Sequence, residues 1–138
     1  MATNNSNSLN ILQWNCRSIL NKIDRFKALI FNHNLDIFCL NETWLVDSKY
    51  FRIPQFKIIR KDRDVAYGGV LIGIRDNIEF KYLDLPVQSQ IEYIAISIKK
   101  NAFVFSIICF YIPPNASFTL SQLKAILPQI PTPFLYIK

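Results

Sequence analysis

Two short apolar runs flank a stretch of helical periodicity within the first 40 residues, and this order constrains the fold more than any other feature of the chain. Leu9 to Trp14 is short and apolar-rich and reads as a strand. Apolar residues then fall at Ile19, Ile23, Phe26 and Ile30, the spacing of one helix face, with Lys22, Asp24, Arg25 and Lys27 on the wet side. Ser18 is placed to cap that helix through its hydroxyl, and Asn32-His33-Asn34 is placed to end it. Leu35 to Leu40 follows as a second strand. Strand, helix, strand is a βαβ unit or a close relative.

The rest of the chain is mostly strand. Runs around Phe56–Ile59, Val70 to Arg75, Glu79 to Leu83, Ile91 to Ile98 and Ala102 to Tyr111 read as strands. Lys61-Asp62-Arg63-Asp64 reads as a charged loop, Tyr67-Gly68-Gly69 as a turn or bulge, and Lys99-Lys100-Asn101 as a hairpin turn. Pro113-Pro114 ends the last long run, because two prolines cannot continue a ladder. Thr119 to Leu127 has the pattern of a helix starting at Ser117 or Thr119, and Phe134 to Ile137 reads as a further strand. The order β-α-β, then several hairpin strands, then α-β predicts two sheets packed together with helices outside.

Composition narrows the function classes. The 138 residues suit one domain, and an apolar share of 51% supports a substantial core. Residues 1–8 are polar and uncharged and are expected to be a disordered lead-in to a domain over 9–138. They lack the basic start and apolar stretch of a secretory signal. No apolar run has the length that spans a bilayer, so no membrane role is expected. Cys16, Cys39 and Cys109 lack metal-site spacing and read as small buried hydrophobes of an intracellular protein. The formal charge of +6 favours a polyanion such as nucleic acid as partner, though no concentrated basic run exists. Nothing in the sequence calls for an obligate protein partner.

Three polar groups, Asn15, Glu42 and Tyr111, stand at the ends of predicted strands. Strands deliver their terminal side chains to one rim of a sheet, so residues distant in sequence converge there. A carboxylate at such a rim suits a hard cation, an amide orients a phosphate oxygen, and a phenol donates to one. Taken singly, each has a plainer reading: Asn15 opening a turn, Glu42 favouring a helix N-terminus, Tyr111 as one more strand aromatic. Gly68-Gly69 lacks the lysine and following helix of a phosphate-binding loop. His33, the only histidine, reads as a helix-terminal residue.

The neighbouring strings change that balance. Ile11-Leu12-Gln13-Trp14-Asn15-Cys16-Arg17-Ser18, Leu40-Asn41-Glu42-Thr43-Trp44, Gly68 to Arg75 and Phe110-Tyr111-Ile112-Pro113-Pro114 occur in that order. The series resembles the endonuclease/exonuclease/phosphatase family, and within it the apurinic-type endonuclease domain of non-LTR (LINE, jockey-like) retrotransposons. The resemblance implies a four-layered α/β sandwich, truncated here at its C-terminal side. It implies Mg²⁺-dependent hydrolysis of phosphodiester bonds, with Mn²⁺ as an alternative ion, DNA as partner and a nuclear place of action. By the same resemblance Glu42 and Asn15 hold the metal, and Tyr111 contacts the scissile phosphate. Arg17 and Asn115 become candidate substrate contacts.

Two departures from the family pattern follow. Arg17 stands where many relatives carry an acidic or amide residue, which leaves room for a phosphate contact and weakens a second metal ligand. The family's Gly-Asp-x-Asn motif and its later Asp-His pair do not occur in these residues. The expectation is therefore the leading part of a nuclease domain, with little turnover of its own. A non-catalytic nucleic-acid-binding module is the alternative, and a family phosphatase acting on inositol or lipid phosphates ranks below both.

Overall fold

The computed structural model describes residues 8–63, 67–85, 91–113, 119–130 and 133–137. Two mixed sheets of four strands face each other. In the first, β1 (Ile11–Asn15) runs parallel to β2 (Ile37–Asn41). β4 (Val70–Arg75) pairs antiparallel with both β2 and β3 (Phe56–Lys61). In the second, β5 (Glu79–Tyr82), β6 (Glu92–Lys100) and β7 (Phe103–Tyr111) form an antiparallel meander, and β8 (Phe134–Ile137) joins parallel to β7. Each sheet thus combines one helix-linked parallel pair with two antiparallel strands.

The strand faces sort the core into three layers of side chains. Ile37 and Cys39 of β2 and Val70, Ile72 and Ile74 of β4 meet Ile94, Ile96 and Ile98 of β6 and Ile107 and Cys109 of β7 between the sheets. The opposite face of the first sheet offers Phe38, Leu40 and Leu71 to Phe26 and Ile30 of helix α1 (Ile23–His33). The outer face of the second sheet offers Ala95, Ile108 and Phe110 to Ile126 of α2 (Leu120–Ile126) and to Ile130. Helix, sheet, sheet, helix is the four-layered α/β sandwich that the sequence predicts. β2 is buried at all five positions, which explains its unbroken apolar run.

Several local expectations hold. Asn34 closes α1 in a left-handed conformation (φ 47°), its N–H reaching the carbonyls of Ile30 and Phe31. Thr119 caps α2 in a reciprocal pairing with Gln122, whereas Ser117 lies outside the described residues. The three cysteines are buried and free. Burial pushes the Cys16 thiol up to about 11 and Cys109 to about 12, and Cys39 well above its ordinary value, so none supplies a thiolate near neutral pH.

Two expectations are corrected. Ser18 does not cap α1. It sits at φ 79°, its N–H goes to the carbonyl of Glu42 at 3.0 Å, and a 3₁₀ turn over Leu20–Lys22 separates it from the helix. A helical start there would remove that bond to the neighbouring loop. Lys99 and Lys100 belong to the β6 ladder opposite Val104 and Phe103, and the turn is Asn101-Ala102. Asn101 takes the left-handed conformation (φ 54°) that the tight reversal requires and asparagine tolerates.

Two features fix how the layers stack. Gly73 lies in mid-strand opposite Phe38, whose ring covers it, and any Cβ there would collide with Phe38 Cζ, Cε1 and Cε2. Phe38 also packs edge-on against Phe26 (4.8 Å between ring centroids) and beside Phe56 (5.1 Å). Asn41, 3% exposed, reaches across from the first sheet: its Nδ2 donates to the Phe110 carbonyl of the second at 2.5 Å. Its Oδ1 accepts from Gln13 Nε2 at 3.4 Å.

Gly73→Ala should cost about 1–3 kcal/mol through overpacking, and less in a Phe38→Leu background, as read by urea denaturation of the two single variants and the double. Asn41→Leu should cost about 1–3 kcal/mol because it strands a buried carbonyl, with an unchanged denaturant slope. Full stability in Asn41→Leu would show that the cross-sheet bond contributes nothing.

Candidate functional site

β1 and β2 are parallel, so Asn15 and Asn41 end side by side in register. β7 ends at Tyr111 on the same rim, because Asn41 bonds to Phe110. The antiparallel partners begin there: Val70 opposite Asn41, and Glu92 opposite Tyr111. The rim therefore gathers the C-terminal ends of β1, β2, β3 and β7 and the starts of β4 and β6. Asn15, Glu42 and Tyr111 all lie on it, as their positions at strand ends predict. Arg17 lies on it too, and Asn115 falls outside the described residues.

The loops of this rim are stitched by backbone bonds. The N–H groups of Cys16, Ser18 and Ile19 donate to the carbonyls of Asn41, Glu42 and Thr43 at 3.0 to 3.1 Å. Trp44 N–H donates to the Gly68 carbonyl at 2.9 Å, and Thr43 N–H to that of Gly69 at 3.4 Å. Such close weaving forces unusual conformations. Arg17, Ser18, Glu42 and Trp44, four of the seven non-glycine residues with positive φ among the described residues, stand here. Gly68 and Gly69 also have positive φ, at 79° and 92°. A Cβ on Gly68 would strike the Arg63 side chain and come within 2.7 Å of Tyr111 Cε1, and one on Gly69 would reach Thr43 Oγ1 at 2.6 Å. The glycine pair is a spacer that lets the Glu42 loop lie against Tyr111.

The side chains differ in exposure. Asn15 is exposed, Tyr111 is buried with 9% of its surface exposed, and the Glu42 side chain keeps 26% of its surface. Arg17 Nε stands 3.9 Å from Glu42 Oε2 with 81% of its side chain exposed, a pair too solvated to fix either partner strongly. A second charged group lies beneath Tyr111. Arg63 Nε meets Glu92 Oε1 at 3.1 Å, and the guanidinium stands 5.6 Å from the centre of the Tyr111 ring. Burial raises the Glu92 carboxyl above its ordinary range, while Arg63, the Gly69 N–H and Lys61 pull it back and Asp62 adds to the rise. Glu92 Oε2 is buried without a hydrogen-bond partner.

The donor set decides what ion suits the rim. Among the described residues no three His, Cys, Asp or Glu side chains cluster, which disfavours zinc-type ligation. One carboxylate, Glu42, and one amide oxygen, Asn15, suit Mg²⁺, which retains waters and takes its remaining oxygens from a phosphate. His33 is far from this chemistry. It is exposed at the end of α1 and lines a cavity of about 480 Å³ with Leu9 and Asn10, at the start of β1 and away from Asn15.

Sequence reasoning missed Asn41, Arg63 and Glu92. Asn41 carried a readable signal: an amide closing the wholly apolar Ile37-Phe38-Cys39-Leu40 must find a partner inside. Arg63 and Glu92 carried none, since their meeting depends on the pairing of β6 with β7 and on the loop after β3.

The model of the Endonuclease/Exonuclease/phosphatase family matches residues 12–134. Among solved structures, the endonuclease domain of TRAS1, a telomere-specific non-LTR retrotransposon, superposes with a TM-score of 0.69 at 14% identity, over 93% of this chain and 58% of that one. The 3′ phosphatase NExo from Neisseria, bound to a product DNA hairpin, gives 0.56 at 19% identity, over 89% and 51%. D. rerio TDP2 complexed with a single-strand DNA product gives 0.58 at 17% identity, over 90% and 55%. The chain thus spans 51% to 58% of the length of these structures, and at such identities the likeness establishes the fold. No curated protein matches the sequence. A family match over most of the chain, joined to the four-layered sandwich, bears out the resemblance read from the strand-end strings: the chain belongs to the Endonuclease/Exonuclease/phosphatase family.

Proposed function

We propose that the chain is part of a Mg²⁺-dependent phosphodiesterase domain that acts on DNA, of the kind that nicks a target for retrotransposition. The convergence of Asn15, Glu42 and Tyr111 on one rim carries this reading. It is supported by the likeness to a retrotransposon endonuclease domain and to two enzymes solved with DNA, and by the formal charge of +6.

Glu42 and Asn15 would hold the ion, Mg²⁺ or Mn²⁺, through oxygen. When bound, such an ion stabilises charge that develops on the phosphate and leaving oxygens. The chain's own groups do the positioning. The Tyr111 hydroxyl donates to a non-bridging phosphate oxygen, while the ring beneath it is fixed by Gly68 and the Arg63 guanidinium. Arg17, mostly in solvent, supplies a cation for an adjacent phosphate.

A second reading rests on a specific observation. The one histidine of the sequence stands away from the rim, and no described group there is an evident base for the attacking water. Lacking one positioned acid–base group costs on the order of 10²–10⁴ in rate. That favours a module that holds DNA and cuts it slowly or not at all.

Supercoiled plasmid incubated with the chain in Mg²⁺ separates the two. Slow nicking is expected, abolished by chelator and by Glu42→Ala, with Tyr111→Phe slower by roughly 10²–10³. Nicking that survives Glu42→Ala would remove the proposed role of the rim. Binding without any nicking supports the second reading. In either case affinity should fall steeply with salt, as for contacts to phosphates.

A further inference from the structure

The rim carries an aromatic pair that phosphate chemistry does not use. Trp44 follows Glu42 by two positions, and Tyr67 immediately precedes Gly68. Their rings meet edge to face, with centroids 5.0 Å apart and planes at 81°. Tyr67 is 63% exposed and Trp44 is partly exposed. An edge-to-face contact occupies one ring face and leaves others open to a third ring.

The pair is not needed to hold its two loops together. Trp44 N–H to Gly68 O and Thr43 N–H to Gly69 O already join them, and Thr43 is fully buried against Gly69. The backbone instead accepts a left-handed conformation at Trp44 (φ 55°), unfavourable for a bulky residue, while its ring remains partly in solvent. Unfavourable backbone of this kind persists where the surrounding structure imposes it, and it gathers at ligand sites.

The geometry points to a base-stacking subsite formed by Trp44 and Tyr67, which takes one unpaired nucleobase beside the phosphate addressed by Glu42 and Tyr111. The inference rests on the DNA-directed reading above and sharpens its substrate to DNA with an exposed base. Trp44 is tied by sequence to the Glu42 loop, and Tyr67 to the glycine whose backbone abuts Tyr111, so a base lodged on the pair belongs to a nucleotide next to that phosphate. Bases within a duplex have both faces covered by neighbours, so a protein ring stacks on a base only when it is unpaired or extruded. Arg17, beside Glu42 and mostly in solvent, offers a charge to the phosphate of the same nucleotide.

The reporter is built in. The chain has two tryptophans. Trp14 packs against Phe26 at 6.0 Å, on the helix-covered side of the first sheet, so a change in emission on binding comes from Trp44. The full chain is titrated, in chelator so that no strand is cut, with a short oligothymidylate strand and with an oligo(dA)·oligo(dT) duplex of the same length. The single strand should quench tryptophan emission and bind more tightly than the duplex. Tyr67→Ala, a change at an exposed position, should weaken single-strand binding roughly 5- to 100-fold. It should leave duplex affinity unchanged, and Tyr67→Phe should restore the wild-type preference. Unquenched emission at saturation, equal loss on both probes, or unchanged affinity in Tyr67→Ala would overturn the subsite while leaving a salt-sensitive DNA-binding rim intact. Failure of the unsubstituted chain to bind either probe would instead remove the reading on which the subsite rests.

Discussion

One buried amide sets the relation between the two sheets. Their shared interface is otherwise mostly isoleucine, with valine, cysteine, Tyr111 and flanking leucine and phenylalanine, and apolar packing alone has no directional preference. A hydrogen bond has one. Asn41 is sealed at the end of β2, an inner strand, so both ends of its side chain must be satisfied by protein. Its donor finds the Phe110 carbonyl, and its acceptor finds Gln13 and, weakly, the Cys109 thiol at 3.8 Å. Those partners lie on β1 and β7. The same bond that aligns the sheets therefore brings the strand ends carrying Asn15 and Tyr111 to a common edge, with Glu42 one residue further on.

Around that anchor, small residues decide how near the parts approach. Gly73 lets the Phe38 ring lie over β4, and through Phe38 the row Trp14, Phe26, Phe38, Phe56 ties helix to sheet. Gly68 and Gly69 let the Glu42 loop reach the Tyr111 side of the interface. Beneath Tyr111, Arg63 and Glu92 form a partly buried pair whose carboxylate is destabilised by its surroundings. A pair of this kind is weak as a source of stability. Its effect here is geometric, because the guanidinium backs the Tyr111 ring and holds it at the rim.

Much of the architecture was legible because burial writes plainly in sequence. β2 and β4 are covered on both faces and appear as continuous apolar runs, and β4 spans the very residues expected from the pattern. α1 shows its spacing at Phe26 and Ile30. What escaped depended on bonds between distant segments. Ser18 has the chemistry of a helix cap, yet its N–H is claimed by Glu42, a partner that exists only once β1 and β2 are paired. Lys99 and Lys100 look like turn residues by polarity, but Asn101 is the one able to adopt the required backbone. At the rim, Asn15, Glu42 and Tyr111 were visible from their positions at strand ends and from the family-like strings around them. Arg63 and Glu92 were not, since neither lies in a string that marks it and only the folded register brings them under Tyr111.

The left-handed residues of the rim have a consequence for how such a sequence changes over time. At Arg17, Ser18, Glu42 and Trp44 the backbone occupies a region where a Cβ is a penalty and glycine is at ease. At Arg17, Glu42 and Trp44, glycine or asparagine would relax the loops while deleting the guanidinium, the carboxylate or the ring. A lineage selected for stability alone would drift toward small residues here, keeping its sandwich and losing its rim. Glu42 and Trp44 thus stand on backbone that folding alone would give to glycine, so the rim is the part of the sandwich that stability does least to preserve.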